Sequence, residues 1–273
     1  MTIRPNMVDM HRRTEVRLDE VTLKDKIIGA ALWGAGIAWI VPMMGSMTLL
    51  SLVTHPKKFD WLSRIYTRGQ VLLTGSRVEV HVHPDVDPNG VYMFVQNHTN
   101  HFDHVAFYAT TPHFKQGLEL ETHFKYPVYG WFMKARGTIP VRPGKEGQTP
   151  EIMQRMRDEV AAGHSILAFP EGTRTRDGRV GKFRNGVFFI ARDLGVPVVP
   201  VSVTGMYEVM RKGSWLIRPG HTVTVHVGAP IAMKGRKDGE VRAAVDEARD
   251  VIAGHVDRYW QERARKRGEV EVS

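Results

Sequence analysis

Cysteine is absent from this 273-residue chain. That excludes disulfide bracing, thiolate catalysis and cysteine-ligated zinc, and it is compatible with a cytosolic setting. Acidic side chains are the scarcer sign of charge, 29 Asp and Glu against 38 Lys and Arg, for a formal charge of +9. The imbalance predicts attraction to anionic partners without choosing among membrane lipids, nucleic acid, phosphorylated substrates, coenzyme A and an acidic carrier protein. Nucleic acid is set aside, because no aromatic stacking platform or binding motif accompanies the charge. Internal repeats and low-complexity linkers are also missing. The simplest partition is therefore an N-terminal membrane-associated helical region, residues 1–60, followed by one catalytic domain, residues 61–273.

One stretch lacks charge altogether. Ile27 to Val53 runs 27 residues without Asp, Glu, Lys or Arg, longer than the roughly 20 needed to cross a bilayer. Pro42 and Gly45 interrupt it near its middle, where a missing backbone donor and a steric clash predict a break. The halves 27–41 and 43–53 are each short for a crossing. Lys24 and Lys26 precede the run, and Lys57, Lys58, Arg64 and Arg68 follow it. Positive charge on both flanks predicts a re-entrant hairpin with both ends cytoplasmic, ahead of a single span or a pair of core helices. The catalytic domain is accordingly expected on the cytoplasmic side of a membrane. The polar residues 1–26 are expected to form an interfacial helix.

Beyond this run, strands and helices alternate. Val71–His83 reads as strand, turn, strand, and Tyr92–Gln96 as a buried strand. Phe102–Ala109 starts a helix with Asn100 or Asp103 as cap. Strands are expected at Gly137–Val141, Ser165–Phe169, Val196–Val203 (interrupted by prolines) and Thr222–Val227. Helices are expected at Pro150–Ala162, Val187–Leu194 and Glu240–Arg267. The alternation predicts a layered α/β domain, a mixed sheet flanked by helices.

The densest chemical signal is VYMFVQNHTNHFDH, residues 91–104. A strand ends in Asn97-His98, and Asp103 follows His98 by five residues. An imidazole beside a carboxylate makes a general base suited to neutral pH. On a regular helix a five-residue step would set the two side chains about 140° apart, so they converge only if the chain bends between strand and helix. Alone, this spacing is most often turn and cap residues. His101-Phe-Asp103-His104 also matches the tail of a metallohydrolase motif. There Thr99 stands where the first ligand belongs, and no downstream cluster supplies the rest.

About 70 residues later the strand SILAF runs into Pro170-Glu171-Gly172-Thr173-Arg174. A glycine after a strand lets backbone N–H groups approach an anion, and an arginine supplies a planar cation for phosphate. Glu171 cannot bind phosphate, so it is expected to orient Arg174 or the loop backbone. Lys182-Phe-Arg-Asn-Gly186 adds basic groups before a helix.

Taken in order, Asn97-His98…Asp103, Lys125 through Gly137-Thr-Ile-Pro-Val-Arg142, Phe169-Pro-Glu-Gly-Thr-Arg174 and Val196-Pro-Val-Val-Pro200 resemble the lysophosphatidic acid/glycerol-3-phosphate acyltransferases. The resemblance covers roughly residues 90–231 and is specific in the first and third blocks together. It implies that His98 is the general base and Asp103 its orienting partner. It places Glu171, Gly172, Thr173 and Arg174 in the acceptor phosphate site, with Lys125 and Arg142 as basic residues of the second block. That block ordinarily carries an acidic residue before its arginine, whereas here Arg142 takes the place and Pro143 follows. The resemblance further implies transfer of a fatty acyl group from acyl-CoA, or acyl carrier protein, to lysophosphatidic acid, giving phosphatidic acid at an anionic membrane surface without cofactor or metal. The alternatives are an acyltransferase for another lysophospholipid or glycolipid and, distantly, a metallo-β-lactamase-like hydrolase.

Overall fold

A computed structural model of the chain describes residues 21–142 and 150–268. The expected helix over residues 1–26 lies largely outside them.

The uncharged run forms one unbroken helix, α1 (Leu23–Leu50), in which Pro42 is an interior residue. The predicted break does not occur. Instead the hairpin is made with a second helix, α2 (Asp60–Leu73), through a turn and a short 3₁₀ segment, Pro56–Phe59. Met47 meets Ser63 while Trp39 meets Tyr66 and Gly69, so the two helices run antiparallel. Packing overrides the proline. Met44 and Met47 are buried with Phe59, Tyr66, Phe132 and Met133, and the Trp39 indole N–H donates to the Tyr66 carbonyl at 3.0 Å. Thr22 caps the start of α1 reciprocally with Asp25, satisfying two backbone donors that would otherwise be left open.

The hairpin leads into a seven-stranded sheet. Its strands are β1 (Arg77–Val82), β2 (Met93–Gln96), β3 (Lys115–Leu120), β4 (Ile139–Val141), β5 (Ser165–Ala168), β6 (Val198–Thr204) and β7 (Thr222–Val227). They lie in the order β1-β7-β6-β2-β5-β3-β4, every neighbouring pair parallel except β6 and β7. The helices are α3 (Asp103–Tyr108), α4 (Tyr129–Arg136), α5 (Pro150–Ala161), α6 (Gly186–Leu194), α7 (Met206–Val209) and α8 (Asp238–Lys266). Residues 71–73, expected as strand, are the last turn of α2, and only Arg77–Val82 is extended. Pro200 does not interrupt β6, because its missing donor leaves the parallel register with β2 intact.

Alternation along the central strands builds two cores. Met93, Val95, Ile166 and Val198 face α5, α6 and α8, where Met156, Phe188 and Ile252 are wholly buried. Phe94, Leu167, Val199 and Val201 face α3 and α7. The result is the expected layered α/β domain, with the apolar hairpin packed beside the α3 layer. Strands β2 and β5 are adjacent and parallel, so both chemical motifs leave the sheet at the same edge, where ligands gather in open α/β sheets.

Candidate active site

The chain leaves β2 at Gln96, and the next residue clips the turn to the sheet. Asn97 donates its amide to the Val203 carbonyl at 2.9 Å and accepts from the Val203 N–H at 2.8 Å. Asn100 donates to the carbonyls of Met206 and Met210. Between these anchors the backbone bends as the five-residue spacing requires. His98 Nδ1 stands 3.0 Å from Asp103 Oδ2.

Asp103 is fully buried at the first turn of α3. Its carboxylate also accepts from the Thr99 N–H at 2.6 Å, the Thr99 hydroxyl at 3.1 Å and the Asn100 N–H at 2.8 Å. It therefore closes the turn as well as holding the imidazole. As an acceptor it keeps the proton on Nδ1, leaving Nε2 as a free acceptor. Phe169 stacks on the ring at 4.1 Å between centroids and restrains its rotation.

The second motif is joined to the first through Glu171. One of its carboxylate oxygens accepts from the His98 N–H and the other from the Gly181 N–H, each at 2.8 Å. Burial pushes the Glu171 carboxyl upward, opposed by these two donors. Of the two roles open to it, Glu171 thus takes the backbone one. Gly172 has φ of +68°, and a Cβ there would lie 2.7 Å from the Arg184 guanidinium carbon. The left-handed backbone therefore favours glycine, and a side chain there would also displace the Arg184 guanidinium. The N–H groups of Thr173 and Arg174 donate to nothing among the described residues, while Thr175 N–H donates to the His98 carbonyl. Partial burial pulls the Arg174 pKa down, and Arg174 in turn helps lower His101, whose own burial acts first.

Among the described residues no bond joins Lys125 or Arg142 to this loop. Lys125 is exposed beyond β3, and Arg142 is held by Glu121 at 2.8 and 3.1 Å. Strand β4 lies three places from β2, about 14 Å across the sheet. Among the described residues no three His, Asp or Glu side chains converge as a metal requires. His104 is half-buried in α3, its pKa lowered first by burial.

Sequence reading missed three contributors. Phe169 was seen only as the first residue of the third block, not as the ring stacked on His98. Glu119, at the end of β3, lies 2.7 Å from His123 Nδ1 and accepts from the Tyr129 hydroxyl at 2.9 Å. Lys212, 38 residues beyond Arg174, donates to the Arg174 carbonyl at 2.7 Å and the Thr173 hydroxyl at 3.0 Å. Its position in the sequence carries no local signal.

Residues 77–204, from β1 to the end of β6, match the Acyltransferase family. The matched span contains both motifs. The chain is 33% identical over 161 residues to a chloroplastic 1-acyl-sn-glycerol-3-phosphate acyltransferase of Brassica napus, covering 59% of this chain and 45% of that one. It is 31% identical over 174 residues to its counterpart in Arabidopsis thaliana, covering 64% and 47%. The chain thus spans about half the length of these relatives. A lyso-ornithine lipid O-acyltransferase of Pseudomonas aeruginosa is 29% identical, with 66% of each chain covered. The fold is shared with the 1-acyl-sn-glycerophosphate acyltransferase PlsC of Thermotoga maritima, at a TM-score of 0.73 and 22% identity over 86% of this chain and 96% of that one.

Proposed function

We propose that the protein transfers a fatty acyl group from acyl-CoA, or acyl carrier protein, to the free hydroxyl of 1-acyl-glycerol-3-phosphate, giving phosphatidic acid. The observation that carries the reading is the 3.0 Å His98–Asp103 contact beside an anion loop. Nε2 of His98 takes the acceptor's hydroxyl proton as the oxygen attacks the thioester carbonyl. The tetrahedral intermediate collapses with cleavage of the C–S bond, and the imidazolium returns the proton to the departing thiolate. Glu171 ties the His98 backbone to the loop, so base and phosphate site move as one body. Arg174 and the open N–H groups of Thr173 and Arg174 receive the acceptor phosphate. An apolar pocket lined by Leu32, Trp33, Ile40, Phe102 and Val105 adjoins the catalytic turn and supports a substrate with a hydrocarbon chain.

The N-terminal region, residues 1–60 in a two-part organisation with a catalytic domain over 61–273, attaches the protein to a membrane in this reading. By length and composition α1 is long enough to cross one, and most of its apolar stretch is left uncovered. It is about 42 Å long and is docked along much of its length. Gly29 and Trp33 touch the 215–217 segment, and Met44 and Met47 pack near Phe132 and Met133. A helix lying along its own catalytic domain favours embedding from one side, with that domain on the cytoplasmic face. The relative acting on lyso-ornithine lipid motivates a second acceptor class.

An acyl-transfer assay against a panel of lysolipids, with CoA and carrier-protein donors, tests the reading. Turnover of lysophosphatidic acid above the other acceptors is expected. Turnover confined to a different lysolipid would overturn the acceptor, and no thioester cleavage with any acceptor would overturn the reaction.

A further inference from the structure

The anion loop is completed from outside the matched acyltransferase span. Lys212 belongs to the segment joining α7 to β7, and its Nζ donates to the Thr173 hydroxyl and the Arg174 carbonyl at 3.0 and 2.7 Å. An ammonium has three N–H donors, so one remains after these two. No carboxylate pairs with either Lys212 or Arg174 among the described residues. Glu171, three residues before Arg174, is committed to two backbone N–H groups, and Glu208, four residues before Lys212, is held by Arg263. Asp103 acts on Arg174 only through space, so both cations keep the capacity to take a bound anion.

Lys212 does not reach the loop by chance of a flexible side chain alone, because its segment is tied down on both sides. Before it, the carbonyls of Met206 and Met210 accept from Asn100 of the catalytic turn. After it, the Trp215 carbonyl accepts from the Trp33 indole of α1 at 2.7 Å, and the two indoles pack at 5.5 Å. Leu216 lies so close to Gly29 that a Cβ there would stand 3.1 Å from its methyl group. Trp33 also touches Phe102, next to the catalytic turn. The segment is a strap from the apolar helix, across the catalytic turn, to the anion loop.

We propose that Lys212 is a specificity-determining residue of the anion site, its ammonium binding the acceptor's phosphate together with Arg174 and the Thr173 and Arg174 amides. The assignment rests on the acyl-transfer reading for its substrate, though not for its anion chemistry. Ammonium and guanidinium divide the work: Arg174 offers a planar fork and Lys212 a compact charge that turns toward whichever phosphate oxygen the fork leaves open.

Two measurements on the full-length protein test this. In the first, wild-type protein is acetylated with an amine-reactive reagent in inorganic phosphate or in chloride of equal ionic strength, and each lysine is followed by mass spectrometry. Phosphate should slow modification of Lys212 about fivefold or more relative to exposed Lys58, as bound-anion shielding of a charged donor predicts. In the second, Lys212→Met should raise the KM for lysophosphatidic acid about 10–100-fold, the size of a lost hydrogen bond to a charged group, with kcat changed less. Lys212→Arg should recover part of the loss. Absence of phosphate protection would overturn the proposal. A fall in kcat at unchanged KM would overturn it too, assigning Lys212 to holding the loop. If wild-type protein does not turn over lysophosphatidic acid, the proposed reaction fails while the acetylation result still decides whether Lys212 binds an anion.

Discussion

In the proposed reaction His98 and Asp103 act as a pair, yet they differ in what they do for the fold. His98 contributes one ring to a half-exposed stack on Phe169, whereas Asp103 closes a turn through three additional donors. His98→Ala should therefore lower kcat about 10²–10⁴-fold with little change in melting temperature. Asp103→Asn should also lower stability by about 1–3 kcal/mol, because an amide NH₂ placed toward buried N–H groups leaves them unpaired. Chemical denaturation and initial rates, measured side by side, separate the two effects. Wild-type turnover from His98→Ala would refute its role as base. Arg174→Ala should weaken use of lysophosphatidic acid by about 2–4 kcal/mol in kcat/KM, and Arg174→Lys should remain impaired because the fork is lost. An equal defect with an unphosphorylated monoacylglycerol would withdraw the phosphate assignment. The identity of these residues was legible because their contacts are local: five positions separate base from carboxylate, and four consecutive residues make the loop. Lys212 was illegible because only the return of the chain after β6 brings it beside Thr173. Arg142 was legible as a cation but not as the partner of Glu121, a pairing set by the register of β3 against β4.

At the scale of the element, strong periodicity translated directly into structure. Thr222–Val227 is a strand over the residues expected, and Pro150–Ala161 a helix one residue shorter. Failures came where tertiary packing overrode a local signal. Pro42 should break a helix in isolation, but α1 is clamped by α2 and by the Met44–Met47 contacts. Strand β3 escaped notice because it opens with Lys115 and Gln116, polar residues that are buried nonetheless. Lys115 has its own consequence. It is 1% exposed, donates to the His113 and Thr111 carbonyls and lies over the Phe107 and Tyr108 rings. Burial first, and then Arg64, pulls its pKa down to about 7, with Asp60 opposing. The unfolded chain holds this proton up to the usual lysine range near 10.4 and the folded chain releases it near neutrality. Between those values the unfolded state binds more protons, so stability should rise with pH from about 7 toward about 10. Lys115→Met should flatten that slope relative to wild type in denaturation series at successive pH values. An unchanged slope would mean that other groups set it.

At the scale of the molecule, the proposed membrane attachment joins a net charge of +9 to an apolar helical surface. Charge alone would give binding that salt reverses. The hairpin adds a second contribution, because Ile37, Val41 and Leu49 of α1 are 56%, 43% and 67% exposed, with Trp61 and Ile65 open on α2. Met44 and Met47 are instead buried with Phe59, Tyr66, Phe132 and Met133. The exposed and buried sets make separable predictions. Replacing Ile37, Val41 and Leu49 together by Glu should leave the fold intact and weaken binding to anionic vesicles at least about tenfold, since each exposed side chain contributes on the order of 1 kcal/mol or more when buried in lipid. Met47→Glu should instead destabilise the protein, because it buries an unpaired charge between α1, α2 and α4. Removing residues 1–55 would confound the two, stripping the membrane face and uncovering the Phe132–Met133 contact at once, with aggregation as the expected result. Topology is checked independently by labelling Lys26 and Lys57 in intact vesicles. Because α1 lies along the α/β domain and Lys57 reaches the Ala162 and Gly163 carbonyls, both lysines should be accessible from the same side. Labelling from opposite sides would require α1 to leave its contacts with Trp215 and Leu216 and cross the bilayer, and retention of the triple variant on vesicles at high salt would move the apolar attachment elsewhere.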